Sequence, residues 1–264
     1  MKIGFFDSGL GGLTILQAVA KELPEYDYLY FGDTANLPYG DKSEETIFSL
    51  TKAGVKALFE QNCVLVIIAC NTASAETLRK LQDDFLIKEY PDRRILGVII
   101  PTVEEMLETD TKSALLLATR RTVQSGKYQA ELNKRSAYHI ILCSVATPEL
   151  VPLIEKGANV EAISLAIKTI DAEQGRVGEV DTVILGCTHY TKLVDGLSAH
   201  YGQEINFISQ DALIPKKLRE YLDNHEEIKS RLSKGATRII KLTENRGDYD
   251  NIIRELLGGA FIGD

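Results

Sequence analysis

Residues 64–72 read Val-Leu-Val-Ile-Ile-Ala-Cys-Asn-Thr, and this stretch decides the fold. Six apolar residues in a row, most of them β-branched, suit a strand buried on both faces, as at the centre of a parallel sheet. The run stops at Cys70-Asn71-Thr72, and Ala-Ser-Ala-Glu-Thr-Leu-Arg-Lys-Leu follows with helical character. Residues 182–190, Thr-Val-Ile-Leu-Gly-Cys-Thr-His-Tyr, repeat the pattern. Cys70 and Cys187 are therefore both predicted where a buried strand turns into a helix. One such cysteine means little; two in equivalent settings suggest acid/base thiols facing one pocket.

Outward from these stretches, short apolar runs alternate with longer amphipathic ones. Strands are predicted at 2–6, 27–31, 64–69, 95–99, 113–118, 138–142, 180–185, 205–208 and 237–242. Helices are predicted at 11–22, 43–61, 72–86, 101–109, 123–134, 148–156, 159–173, 190–200, 210–222 and 248–257. That alternation is the mark of βαβ units, so the fold class is α/β with mainly parallel sheets. The doubled motif predicts two pseudo-symmetric halves. Ligands in such sheets gather at the carboxyl ends of strands, which places the site in the cleft between the halves.

The chain has 264 residues, 44% hydrophobic and 26% charged, which is ample for a packed core. Its net charge of −8 argues against a nucleic-acid or anionic-membrane partner. No apolar run reaches the length of a membrane span. The opening Met-Lys-Ile-Gly-Phe-Phe reads as a first strand rather than a signal peptide, so a cytoplasmic location is expected. Cys63, Cys70, Cys143 and Cys187 form no Cys-x-x-Cys and no closely spaced ligand set. Neither a metal site nor a disulfide is expected.

Cys70 at a helix start has its thiolate favoured by the dipole and free amides, and Asn71 or Thr72 can cap that helix. The same residues serve equally as a small buried side chain beside a cap. His189, two positions after Cys187, is placed to exchange a proton with it. Asp7-Ser8-Gly9-Leu10-Gly11-Gly12 follows the first strand, but its spacing is not that of a dinucleotide loop. Asp7 suits a substrate ammonium or a neighbouring thiol better than a phosphate. Pro38-Tyr39-Gly40 is a turn whose amides can meet a carboxylate. Thr119 and Thr122 offer hydroxyls and helix-start amides for another, while Arg120 and Arg121 beside them suit either a phosphate or the solvent. Glu149 and Glu155 are candidate carboxylates. Cys63 and Cys143 read as packing residues; His139, His200 and His225 read as structural or exposed.

Together, Asp-Ser-Gly-Leu-Gly-Gly at 7–12, Pro-Tyr-Gly at 38–40, Cys-Asn-Thr-Ala at 70–73 and Gly-Cys-Thr-His-Tyr at 186–190 resemble the glutamate racemases of the cofactor-independent aspartate/glutamate racemase superfamily. Ser-Gly-Lys-Tyr at 125–128 and Val-Pro-Leu-Ile-Glu at 151–155 add to the match. The resemblance implies one domain of residues 1–97 with 210–264 and a second of 98–209. It implies that Cys70 and Cys187 are the two catalytic acid/bases, assisted by Asp7, His189 and Glu155. It implies that Asp7, Ser8, Tyr39, Gly40, Asn71, Thr72, Thr188 and His189 bind substrate or tune the thiols, and Pro38, Thr119 and Thr122 join the substrate-binding candidates from the reading of their own turns. It further implies a cytoplasmic homodimer, needing no cofactor, that supplies D-glutamate for peptidoglycan. Three places depart from the family's usual pattern: Ala118 before the first threonine, Thr147-Pro148, and Ser209-Gln210 after the late strand.

A thiolate on one face of an α-carbon and a thiol on the other explain inversion, which a single base does not. By the family's pattern Cys70 handles the proton of the D-enantiomer and Cys187 that of the L-enantiomer. Competing readings are racemisation of aspartate or another amino acid at the same site, a non-catalytic amino-acid-binding protein, and a thiol-redox protein.

Overall fold

The computed structural model describes residues 1–135, 140–245, 247, 249–257 and 262–263. Ten strands are described: β1 (Lys2–Asp7), β2 (Tyr28–Gly32), β3 (Cys63–Ile68), β4 (Arg94–Gly97), β5 (Ser113–Ala118), β6 (Ile141–Ala146), β7 (Thr182–Gly186), β8 (Asn206–Ile208), β9 (Arg238–Leu242) and β10 (Ile262–Gly263). They form two sheets, ordered β10-β9-β2-β1-β3-β4 and β6-β5-β7-β8. Every pairing is parallel. The fold is α/β, as the alternation predicts.

The runs that read as doubly buried strands are the inner ones. Every residue of β3 and of β7 is buried. Helices cover both faces of each sheet, with an apolar cluster under each cover. In the first sheet, Ile3, Phe5 and Ile67 face one cluster while Phe6, Val66 and Ile68 face the other. Leu115 and Leu117 of the second sheet likewise oppose Ala114 and Leu116. This two-faced burial follows from the period of two along a strand.

Several boundaries differ from the predicted ones. The strand predicted at 138–142 runs instead over Ile141–Ala146, and residues 138 and 139 lie outside the described residues. As an edge strand it is half-exposed, so its sequence lacks a clean apolar run. The helix predicted at 123–134 is two, Arg120–Gln124 and Lys127–Arg135. Gly126, at φ +60°, separates them with a backbone conformation open mainly to glycine. The predicted helix at 190–200 begins as a 3-10 turn over Thr188–Leu193 and continues as an α-helix over Val194–Tyr201.

Candidate active site

Parallel strands deliver their loops to one end of a sheet, and the candidate residues lie there. Asp7 ends β1, Cys70 follows β3, Thr119 follows β5 and Cys187 follows β7. A cavity of about 220 Å³ opens between the two sheets at these ends. Ser8, Pro38, Tyr39, Gly40, Cys70, Asn71 and Thr72 line it from the first half, and Thr119, Glu155, Cys187, Thr188 and His189 from the second.

The two thiols differ in detail. Cys70 caps the helix Asn71–Lys80: its Sγ accepts from Ala73 N at 3.4 Å and from Ser8 Oγ at 3.4 Å. Burial pushes this thiol up to about 12, and the negative charge of Asp7 adds to the rise; the Ser8 and Ala73 hydrogen bonds oppose it. Cys187 precedes the 3-10 turn and receives no capping hydrogen bond. Its Sγ lies 3.8 Å from His189 Nδ1. His189 Nε2 in turn lies 3.1 Å from Glu155 Oε1. Burial opposes charge on this imidazole, but the Cys187 sulfur and the Glu155 carboxylate outweigh it and raise His189 to about 10. Glu155 is held low in return by the His189 hydrogen bond.

Asp7 is fully buried and does not line the cavity wall; it lies beneath it. Gly9 N donates to Oδ1 at 2.8 Å, while Oδ2 completes no hydrogen bond among the described residues. Burial raises this carboxyl, against the Gly9 amide and the charge of His189. Gly11 lets the halves meet here. A Cβ on it would stand 2.9 Å from His189 Nδ1 and 3.0 Å from Thr188 Cβ.

Across the cavity, three hydroxyls form a triangle. Thr72 Oγ1 lies 2.9 Å from Thr119 Oγ1 and 3.2 Å from Thr122 Oγ1, and those two are 3.0 Å apart. Thr122 stands behind the wall rather than on it, and its amide donates to Thr119 Oγ1. Tyr39 is buried and its hydroxyl donates to Asp33 Oδ2 at 2.7 Å, so its ring is an anchor for the Pro38–Gly40 loop. The Asn71 side chain is fixed at both ends: Tyr128 Oη donates to its Oδ1 at 2.6 Å, and its Nδ2 donates to Gln210 Oε1 at 3.3 Å.

Other candidates fall elsewhere. Glu149 is exposed and outside the cavity wall. Cys63 is buried in the core. Cys143 is half-buried and packs against the core of the second half, as expected, and its Sγ also accepts from Arg176 Nη2 at 3.1 Å. His225 stacks on Tyr221 and His200 is exposed beside Tyr201, while His139 lies outside the described residues. Sequence reasoning missed Leu37, Asp41, Pro148, Val151 and Pro152 on the cavity wall. The signal for the last two is present in Val-Pro-Leu-Ile-Glu, a stretch in which Glu155 alone stands out as a chemical group. Among the described residues, no group of three or more His, Cys, Asp or Glu is placed to hold a metal ion. None of the described helices is long and apolar enough to cross a membrane.

Two parallel-sheet halves enclosing one small cavity, with a thiol delivered from each half, define an α/β protein with a paired-cysteine site. The chain belongs to the Asp/Glu/Hydantoin racemase family, whose sequence model matches residues 14–211. A relative from Ruegeria pomeroyi, named glutamate racemase, is 37% identical over 240 residues, covering 87% of this chain and 88% of its own. The crystal structure of a glutamate racemase isoform from Bacillus anthracis superposes with a TM-score of 0.85 at 28% identity, covering 100% of this chain and 96% of that one. The glutamate racemase of Francisella tularensis, solved with D-glutamate, gives 0.83 at 26% identity over 99% of this chain and 95% of its own.

Proposed function

We propose that this chain is a glutamate racemase that interconverts L- and D-glutamate by transferring protons through Cys70 and Cys187, without a cofactor. The observation that carries the reading is the pair of thiols on the wall of one cavity of about 220 Å³, one from each half. That volume lies below the 300–1,000 Å³ or so of drug-sized pockets, and suits an amino acid. One thiolate takes the α-proton. The electron pair left on the α-carbon spreads into the adjacent carboxylate, and the opposite thiol returns a proton to the other face. Amides at the helix starts and the Thr72 and Thr119 hydroxyls on the wall, backed by Thr122, hold carboxylate charge. Asp7 raises the proton affinity of Cys70, and His189, held by Glu155, stands beside Cys187 as its partner in proton exchange. Cys70 serves the D-enantiomer and Cys187 the L-enantiomer. Residues 1–97 with 210–264 act as one domain and 98–209 as the other, in a cytoplasmic homodimer that supplies D-glutamate for peptidoglycan.

Circular dichroism of L- and of D-glutamate incubated with the protein tests this reading. Both solutions should lose optical activity without added cofactor, and an unchanged signal refutes the proposal. Cys70→Ser and Cys187→Ser should each abolish racemisation while one enantiomer still exchanges its α-proton in deuterium oxide. Full activity in either variant refutes the two-thiol mechanism.

A further inference from the structure

Arg120 and Arg121, adjacent in sequence and open to a phosphate role, have different fates. Arg120 is exposed on the cavity rim. Arg121 turns back across the cleft to Glu76 on the helix Asn71–Lys80. Its Nε lies 2.8 Å from Glu76 Oε1, and its Nη2 donates to Oε2 at 3.2 Å. The Glu76 side chain is 5% exposed and the Arg121 side chain 25%. Glu44, 3.6 Å from Arg121, and Lys80 beside Glu44 extend the contact toward solvent. Glu76 lies one helical turn after Thr72 on the same face. Arg121 sits between Thr119 and Thr122 on the facing element. The ion pair and the hydroxyl triangle are thus successive rungs between the two halves, one turn apart.

We propose that the Arg121–Glu76 pair is a positioning clamp that holds the halves at the spacing at which Thr72 and Thr119, backed by Thr122, receive a substrate carboxylate. The proposal rests on the racemase reading. One hydrogen bond, Nη2 to Oε2, and the close approach of Nε to Oε1 join a guanidinium to a nearly dry carboxylate, a charge-assisted contact that fixes the distance between the two elements. The carboxylate it prepares for is charged in the ground state and gains charge as the electron pair of the α-carbon spreads into it. Losing the clamp therefore weakens substrate binding, and transition-state binding more, which raises KM and lowers kcat as well.

Steady-state racemisation of each enantiomer by Glu76→Gln, Arg121→Lys and the swapped double variant Glu76→Arg/Arg121→Glu tests the clamp, with thermal melting alongside. Glu76→Gln should raise KM about tenfold in both directions and lower kcat/KM by more than that. Arg121→Lys keeps the charge without the fork and should give a smaller rise. The double variant should recover part of the loss. If Glu76→Gln does not fold, the Arg121→Lys rise in KM decides. A fall in melting temperature with KM unmoved, or a fall in kcat alone, overturns the clamp. A wild-type chain inert toward both enantiomers overturns the racemase reading and this proposal with it; an active wild type with unshifted variants overturns the clamp alone.

Discussion

Gly11→Ala tests the geometry of the site at the point where the halves touch. The added Cβ would stand 2.9 Å from His189 Nδ1 and 3.0 Å from Thr188 Cβ, with Thr188 Oγ1 nearer still. Nonbonded carbon atoms rest about 3.5–4.0 Å apart, so the Cys187–His189 turn must retreat by roughly 0.5–1 Å. Thr188 has little freedom to swing aside, because it is 4% exposed. A misplacement of about 1 Å at a reacting group costs on the order of a hundredfold in rate. Racemisation should therefore fall about 10- to 100-fold in kcat/KM, with about 1–3 kcal/mol lost from stability through overpacking. The loss should be uneven. In deuterium oxide, α-proton exchange initiated by Cys187 should slow more than exchange initiated by Cys70, whose Ser8 and Ala73 contacts lie away from the turn. Circular dichroism gives the racemisation rate, proton NMR the exchange rates, and urea denaturation the stability. A folded Gly11→Ala protein with kcat/KM within about threefold of wild type refutes the reasoning.

Two further outcomes rest on the hydrogen bonds around the thiols. His189 is raised to about 10 from a free value near 6.5, so its pairing stabilises the fold fully below about pH 6.5 and is lost as the pH rises through about 10. Denaturation stability should decline across that window in wild type and decline less in Glu155→Gln, and equal slopes count against the His189–Glu155 pair. Tyr128→Phe removes the buried donor 2.6 Å from Asn71 Oδ1 and should cost about 1–2 kcal/mol by urea denaturation together with a measurable loss of racemisation; an unchanged midpoint disproves a stabilising role for that bond.

The inner strands are legible because a strand buried on both faces must be apolar throughout, and 64–68, 113–118 and 182–185 are nearly so. Edge strand β6 lies several residues from its predicted place because half-exposure lets Ser144 and Cys143 interrupt its pattern. The cavity residues are legible where they come directly after a strand, as Ser8, Cys70, Thr119 and Cys187 do. They are not legible where the wall comes from a loop crossing the cleft, as with Leu37, or from a helix whose apolar face reads as core, as with Val151. Pairings between distant residues are also invisible in sequence. Thr147 and Gln210 stand out there only as departures from the family's pattern. In the fold Thr147 Oγ1 lies 2.9 Å from Tyr190 Oη, and Gln210 holds Asn71. The first bond ties the turn that carries Cys187 to the end of β6, and the second ties the residue after Cys70 to a helix from the far end of the chain.

The doubled strand–cysteine pattern predicts two thiols in like settings, and likeness holds only for the backbone that delivers them. β3 and β7 both bring a cysteine to the carboxyl end of an inner strand. Their caps are unlike. After Cys70 an α-helix starts at once, so a backbone amide and Ser8 both reach its sulfur. After Cys187 the chain tightens into a 3-10 turn, and no capping amide reaches its sulfur. The turn instead brings a side chain two positions on, His189, within 3.8 Å. One fixed amide, the Ser8 hydroxyl and a buried carboxylate neighbour the first thiol; an imidazole with its own carboxylate partner faces the second. The proposed two-thiol mechanism runs in both directions through groups on opposite faces of one carbon, but its two substrates are mirror images and the protein around them is not. Equivalent strands deliver the two thiols, and unlike caps give each a different neighbour for proton transfer. On this argument, exchanging Thr188-His189 for Asn-Thr, the pair that follows Cys70, should leave Cys187 in place and still slow the α-proton exchange it initiates in deuterium oxide; exchange at the wild-type rate overturns the argument.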